Sequence, residues 1–206
     1  MSARMLGSLH FHRVLAGAEH RHILKTGLAT VVDVGANRGQ FALAARRWAS
    51  KAYIISFEPL AEAASSFRKV FQGDLKVTFH QAAPLQERLF PGTGEIQTEM
   101  VKIGPLSDYV MPEEIVSPAL LKLDVQGYEL EALRGCEDLL NRFSHVYAEC
   151  SFVELYSGQA LVDDIVAWLR ERGWCLSGIH NMIYDRQGRS IQADFLFENS
   201  CFTSST

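Results

Sequence analysis

Val31-Val32-Asp33-Val34-Gly35-Ala36-Asn37-Arg38-Gly39-Gln40-Phe41 is the stretch that decides the fold. A short β-branched run ends in a glycine turn, and a segment able to form a helix follows it. A strand buried on both faces of a parallel sheet reads as such a continuous apolar run. Outward from it, the pattern predicts further strands over residues 53–57, 75–81, 119–125, 145–150, 174–180 and 193–198. It predicts helices over 39–50, 60–71, 129–142 and 159–172, with Gly173 stopping the last. Strands alternating with helices imply a mostly parallel sheet with helices on both faces. The last two strands have only a turn at 185–188 between them, so they are expected as an antiparallel hairpin at one edge. Residues 84–118 are broken by prolines and glycines, with a short strand over 100–103 and a helical turn over 106–110 as the regular pieces. Residues 4–26 read as amphipathic helix, with Leu6, Leu9, Val14, Leu15, Ile23 and Leu24 on the apolar side. The expected organisation is a helical segment over 1–29 and one α/β domain over 30–206.

In open α/β sheets the ligand sits at the carboxyl ends of the strands, near the point where strand order reverses. The glycine turn after residue 34 lies there. Gly35 and Gly39 let backbone approach a ligand closely. Asp33 stands near the strand end, where a carboxylate acts through the loop or through ordered water. Glu58 ends the next strand, placed to accept hydrogen bonds from two ribose hydroxyls. A dinucleotide site would want G-x-G-x-x-G against a pyrophosphate. This loop has glycines only at 35 and 39, and Asp33 is a poor neighbour for phosphate. A nicotinamide-dependent oxidoreductase is therefore the weaker reading. A ligand with a ribose, a cationic sulfonium and an amino-acid tail suits these residues better.

Composition narrows the field. The chain has 206 residues, 48% hydrophobic and 21% charged, which is an ordinary globular balance. Lys plus Arg is 20 and Asp plus Glu is 24, for a net charge of -4. Nucleic-acid binders carry a basic excess to meet phosphates, so nucleic acid is not expected as a partner. No apolar run approaches the roughly 20 residues of a membrane span, and residues 1–9 do not read as a signal peptide. The four cysteines form no CxxC pair. Cys136, Cys150 and Cys175 sit among apolar neighbours and read as reduced core residues, which fits a cytoplasmic protein. His10, His12, His20 and His22 have only Glu19 as a local acidic partner and read as solvated helix residues, not metal ligands. No metal is expected.

The motifs together resemble the FkbM family of S-adenosylmethionine-dependent methyltransferases. The likeness rests on DVGANRGQF at 33–41, FEP at 57–59 and LLKLDVQGYELEALRGCEDLL at 120–140. It is extended by YAECSFVELYSGQ at 147–159 and QADFLF at 192–197. It implies a Rossmann-like class I methyltransferase fold with S-adenosylmethionine as cofactor. It also implies that Asp33, Gly35, Asn37 and Gly39 border the methionine part, that Glu58 holds the ribose, and that Ala83 lies on the adenine side. Relatives follow the third strand with a small residue and an acidic turn facing the adenine amino group. Here Gln81-Ala82-Ala83-Pro84-Leu85-Gln86 has no acid before Glu87, and a strand and serine-rich loop that precede the segment like LFPGT at 89–93 are missing. That departure motivates the alternative of a catalytically degenerate relative that keeps the cofactor loop but does not turn over.

Methyl transfer is an in-line displacement that needs alignment of the acceptor and help in removing a hydroxyl proton. Asp124, ending the fourth main strand, is expected as base or acceptor-positioning group, or else as the cap of the next helix. Glu149, ending the fifth, is the other expected catalytic carboxylate. Glu129 can reach the site, Glu131 is expected in solvent, and His180 and Asn181 are expected at the acceptor pocket. Phe152, Tyr156, Trp168 and Trp174 read as core. The expected reaction is O-methylation of a hydroxyl on a sugar, glycolipid or secondary metabolite. The partner is then a small-molecule or glycan acceptor, with the oligomeric state left open.

Overall fold

The computed structural model describes residues 17–85 and 102–203. The calls on Leu6, Leu9, His10, His12, Val14, Leu15, Glu87, the 89–93 segment and residues 100–101 lie outside these.

β1 (Thr30–Val34) is buried at all five positions, because neighbours flank it on both edges and helices cover both faces. It pairs in parallel with β2 (Tyr53–Phe57) on one side and β6 (Ala119–Leu123) on the other. β3 (Val77–His80) extends the sheet beyond β2. β7 (His145–Ser151) extends it beyond β6. β8 (Trp174–Tyr184) and β9 (Ser190–Asn199) form the antiparallel edge hairpin, with β9 against β7. The order is β3-β2-β1-β6-β7-β9-β8, so strand order reverses between β1 and β6. A separate two-residue pair joins β4 (Ala83–Pro84) to β5 (Ile103–Gly104).

The pleat sends alternate residues of β1 into two cores. Val31 packs with Ile23, Leu24, Leu43 and Phe67, from α1 (Arg21–Leu24), α2 (Gln40–Trp48) and α3 (Ala61–Val70). Val32 and Val34 pack with Leu133, Ile165 and Leu169, from α4 (Glu129–Gly135) and α5 (Val162–Glu171). Each fully buried side chain of this kind contributes about 1.5–3 kcal/mol. A final helix, α6 (Ser200–Thr203), closes the described chain.

Three local expectations change. The helix expected over 129–142 is α4 followed by a 3-10 stretch, Glu137–Arg142. The break falls where Gly135 meets the backbone of Pro84 and Leu85, leaving no room for a side chain. Cys175 is exposed, because its edge strand has no helix over that position, whereas Cys136 and Cys150 are buried. Glu131 is buried, with Arg134 Nη1 3.5 Å from its carboxylate, and not in solvent.

Candidate active site

The glycine turn works by displacement of side chains. Gly35 has φ 81°, and a Cβ there would land on the Asp124 carbonyl oxygen. Gly39 has φ 96° and packs against the Phe71 and Phe67 rings. Between them Asn37 adopts φ 49°, which turns its N–H onto Glu58.

Two cavities meet at this turn, sharing Gly35, Asn37 and Asp124. The larger, about 460 Å³, is mostly apolar, with Leu60, Ala83, Leu85, Ile103 and Val125 on its walls. Glu58 stands at its edge. Its Oε2 accepts the Asn37 N–H at 2.9 Å and its Oε1 accepts the Leu60 N–H at 2.9 Å. Each oxygen has lone-pair capacity for one further donor. Burial raises the Glu58 pKa against these two bonds.

The smaller cavity, about 310 Å³, is polar and takes in Lys122, Asp124, Glu149, Asn181 and Asp194. Register explains the cluster. Asp33 lies directly across from Lys122 in the β1–β6 pair, and Glu149 directly across from Asp194 in the β7–β9 pair. Lys122 Nζ is 3.3 Å from Asp33 Oδ1 and donates to Asp124 Oδ2 at 3.2 Å and to the Gly35 carbonyl at 3.3 Å. Burial opposes its charge, but Asp33 and Asp124 outweigh burial and raise its pKa. Gln126 Nε2 donates to Asp124 Oδ1 at 3.0 Å and to Glu149 Oε2 at 3.3 Å. Gln126 thus bridges the two carboxyl groups. Burial and the facing Asp124 push Glu149 up to about 8. Lys122 overcomes the burial of Asp124 and holds it below the usual carboxylate range. One carboxyl of the pair thus keeps a proton near neutrality while its partner is ionised.

The methyltransferase FkbM domain matches residues 75–174. The chain resembles that domain over just under half of its length. Its match takes in β6, Asp124, Glu149 and the LLKLDVQGYELEALRGCEDLL segment, whereas the glycine turn and Glu58 precede it. No curated protein sequence matches. Solved structures share the fold. An uncharacterized protein from Listeria monocytogenes serotype 4b is 8% identical with a TM-score of 0.57, covering 89% of this chain and 68% of its own. Magnesium protoporphyrin IX methyltransferase from Synechocystis PCC 6803 is 14% identical at TM-score 0.53, covering 88% and 80%. An rRNA methylase from Streptococcus thermophilus is 13% identical at TM-score 0.55, covering 87% and 93%. The chain is a methyltransferase of Rossmann-like class I architecture, and S-adenosylmethionine is its cofactor. The cavities fit that molecule: the apolar walls beside Glu58 suit an adenosine, and the turn at Gly35 and Asn37, where the two cavities meet, suits the methionine portion.

The residues expected at the site divide. Gly35, Asn37, Glu58, Ala83, Asp124 and Glu149 line the two cavities. Asp33 lines neither; it is fully buried and communicates through Lys122. Gly39 lines neither, serving the turn and the contact with Phe71. Asp124 does not cap α4, whose first turn follows Tyr128. Glu129 is spent on the loop, its Oε1 accepting the N–H groups of Val125 at 3.2 Å and Gly127 at 3.1 Å. Asn181 reaches the polar cavity, whereas His180 stacks on His22 with centroids 3.7 Å apart. His20 is not a solvated helix residue: it lines the cavity and packs on the Phe41 ring at 5.0 Å. Tyr156 is exposed and not core; its hydroxyl donates to Gln126 Oε1 at 2.7 Å. Lys122, Gln126 and Asp194 were missed. A lysine inside the apolar run 119–123 is the one signal that could have marked the first. Among the described residues no group of three His, Cys, Asp or Glu side chains is arranged to hold a metal ion. No described helix is long and apolar enough to cross a membrane.

Proposed function

We propose that this chain O-methylates a hydroxyl of a sugar, glycolipid or secondary metabolite in the cytoplasm, without nucleic acid as a partner. The observation that carries the reading is the junction of the two cavities, where an adenosine-shaped apolar pocket opens beside a carboxyl pair. The proposed domain boundaries are 1–29 for the helical segment and 30–206 for the catalytic unit. Glu58 binds the ribose hydroxyls, Ala83 borders the adenine, and Gly35 and Asn37 border the methionine portion. Gly39 and Asp33 support that contact from behind, through the turn and through Lys122.

When bound, S-adenosylmethionine supplies an electrophilic methyl group on a sulfonium. Glu149 in its ionised form takes the proton from the acceptor hydroxyl, because a base whose pKa lies near the working pH is the effective one. Asp124 stays ionised, raises the basicity of Glu149 and orients the hydroxyl for in-line attack. Gln126 holds both carboxyls in place. Calorimetry with S-adenosylhomocysteine, run beside Glu58→Ala, tests the reading. Micromolar binding that the variant loses supports it. A folded wild-type chain that binds nothing favours the degenerate alternative, whose motive is the absence of an acid along Ala83-Pro84-Leu85.

A further inference from the structure

The polar cavity has a charge pattern that narrows its acceptor. Among the described residues Lys122 is the only Lys or Arg on its lining. An ammonium has three N–H bonds, and three oxygens surround this one within 3.3 Å: Asp33 Oδ1, Asp124 Oδ2 and the Gly35 carbonyl. Its charge is already met by the carboxylates of Asp33 and Asp124. Glu149 and Asp194 are direct partners in the β7–β9 ladder, so two carboxyl groups share this part of the lining. Glu19 adds a further carboxylate to the lining.

Asp194 is held by one oxygen. Its Oδ2 accepts the Tyr147 hydroxyl at 2.9 Å and the Asn181 amide at 2.6 Å. The same Asn181 amide donates to the Tyr147 oxygen at 3.2 Å, and His20 Nδ1 lies 3.4 Å from it. The other oxygen, Oδ1, accepts no hydrogen bond among the described residues, and the side chain is 14% exposed, toward the cavity it lines. Among the described residues a phosphate or carboxylate on the acceptor would meet this wall with no free cation to receive it. An ammonium would find an oriented carboxylate oxygen.

Resting on the methyltransferase reading above, we propose that the acceptor is a hydroxylated amine, of the amino-sugar or amino-alcohol class, whose ammonium binds Asp194 while its hydroxyl lies at Glu149 and Asp124. Directly opposed cross-strand residues stand about 5 Å apart at Cβ, a spacing that suits an amine and a hydroxyl on neighbouring carbons. Asp194 is then the residue that sets specificity, and Tyr147 and Asn181 are positioning residues that act through it.

The test is calorimetry on the full chain saturated with S-adenosylhomocysteine. The probes are methyl glucosaminide, methyl glucoside and methyl glucuronide at pH 7. The amine is expected to bind about tenfold or more tighter than the neutral sugar, with the acid weakest, as a hydrogen bond to a charged group implies. Asp194→Asn is expected to erase the amine's advantage, with the affinity for S-adenosylhomocysteine reporting that the variant is folded. Equal or tighter binding of the glucuronide overturns the proposal, as does an amine advantage that survives Asp194→Asn, or no binding by any of the three. Loss of S-adenosylhomocysteine affinity in Asp194→Asn also overturns it, by assigning the carboxylate to the cofactor's own amino group. If the wild-type chain fails to bind S-adenosylhomocysteine at all, the methyltransferase reading itself has failed.

Discussion

The two cavities that meet at Gly35 are built on opposite principles. The larger is walled by Leu60, Ala83, Leu85, Ile103 and Val125, with one carboxylate, Glu58, already held by two backbone donors. The other concentrates Lys122, Asp124, Glu149 and Asp194 in a smaller space. Apolar burial is non-directional and supplies affinity, so the first cavity is suited to holding a ligand. A buried carboxyl pair with displaced pKa values is suited to moving a proton, so the second is suited to chemistry. The lesson is that binding and reactivity are separable here, and single substitutions should separate them.

The largest effect should come from Gly35, one of the three residues both cavities share. Gly35→Ala places a methyl on the Asp124 carbonyl at a positive φ, and destabilisation on the order of 3 kcal/mol or more is expected. Thermal denaturation should show a midpoint drop of about 6 °C or more; an unchanged midpoint would mean the loop is looser than it looks. Glu149→Gln comes next, with kcat falling about a hundredfold or more while S-adenosylhomocysteine affinity changes little. Equal losses in both measurements would erase the distinction between the cavities. Glu58→Ala should do the reverse. It removes a charged hydrogen-bond acceptor, and calorimetry should show affinity for S-adenosylhomocysteine weakened by about ten- to a hundredfold.

The pH dependence has a definite sign. Glu149 acts as base only when deprotonated, so turnover should rise with pH through about 8, gaining about tenfold between one unit below and one unit above. Stability should move the other way. Glu149 has a folded pKa raised above the unfolded value, so the protonated form favours the fold, and stability should fall as pH rises from the ordinary carboxylate range through about 8. Melting curves of Glu149→Gln should lack that slope. The smallest effect is expected from Tyr156→Phe, which removes only the hydroxyl that holds Gln126; initial rates should fall by no more than about fivefold.

Much of this was legible in the chain itself. Thr30–Val34 and Tyr53–Phe57 were predicted to the residue, because short β-branched runs bounded by turn residues have one stable use in a parallel sheet. The edge hairpin followed from two runs with no helix between them, Gly35 and Glu58 followed from the strand ends, and Asn37 was implied by the family resemblance. β8 ran on to Tyr184 beyond its expected end at His180, because β9 offered it a ladder partner that local pattern does not reveal. The 3-10 stretch after α4 depended on where Pro84 and Leu85 pass, which is again a distant contact.

Sequence by itself determined the fold class, the position of the cofactor turn and the carboxyls at the strand ends, since period and turn chemistry are local properties. Tertiary structure alone decided which of those groups face one another. Asp33 meets Lys122 across 89 positions of chain, and Glu149 meets Asp194 across 45, only because parallel and antiparallel registers align them. A slip of one residue would send each side chain to the other face of the sheet. Register is fixed by the packing of the whole core, and the electrostatics of the site follow from it.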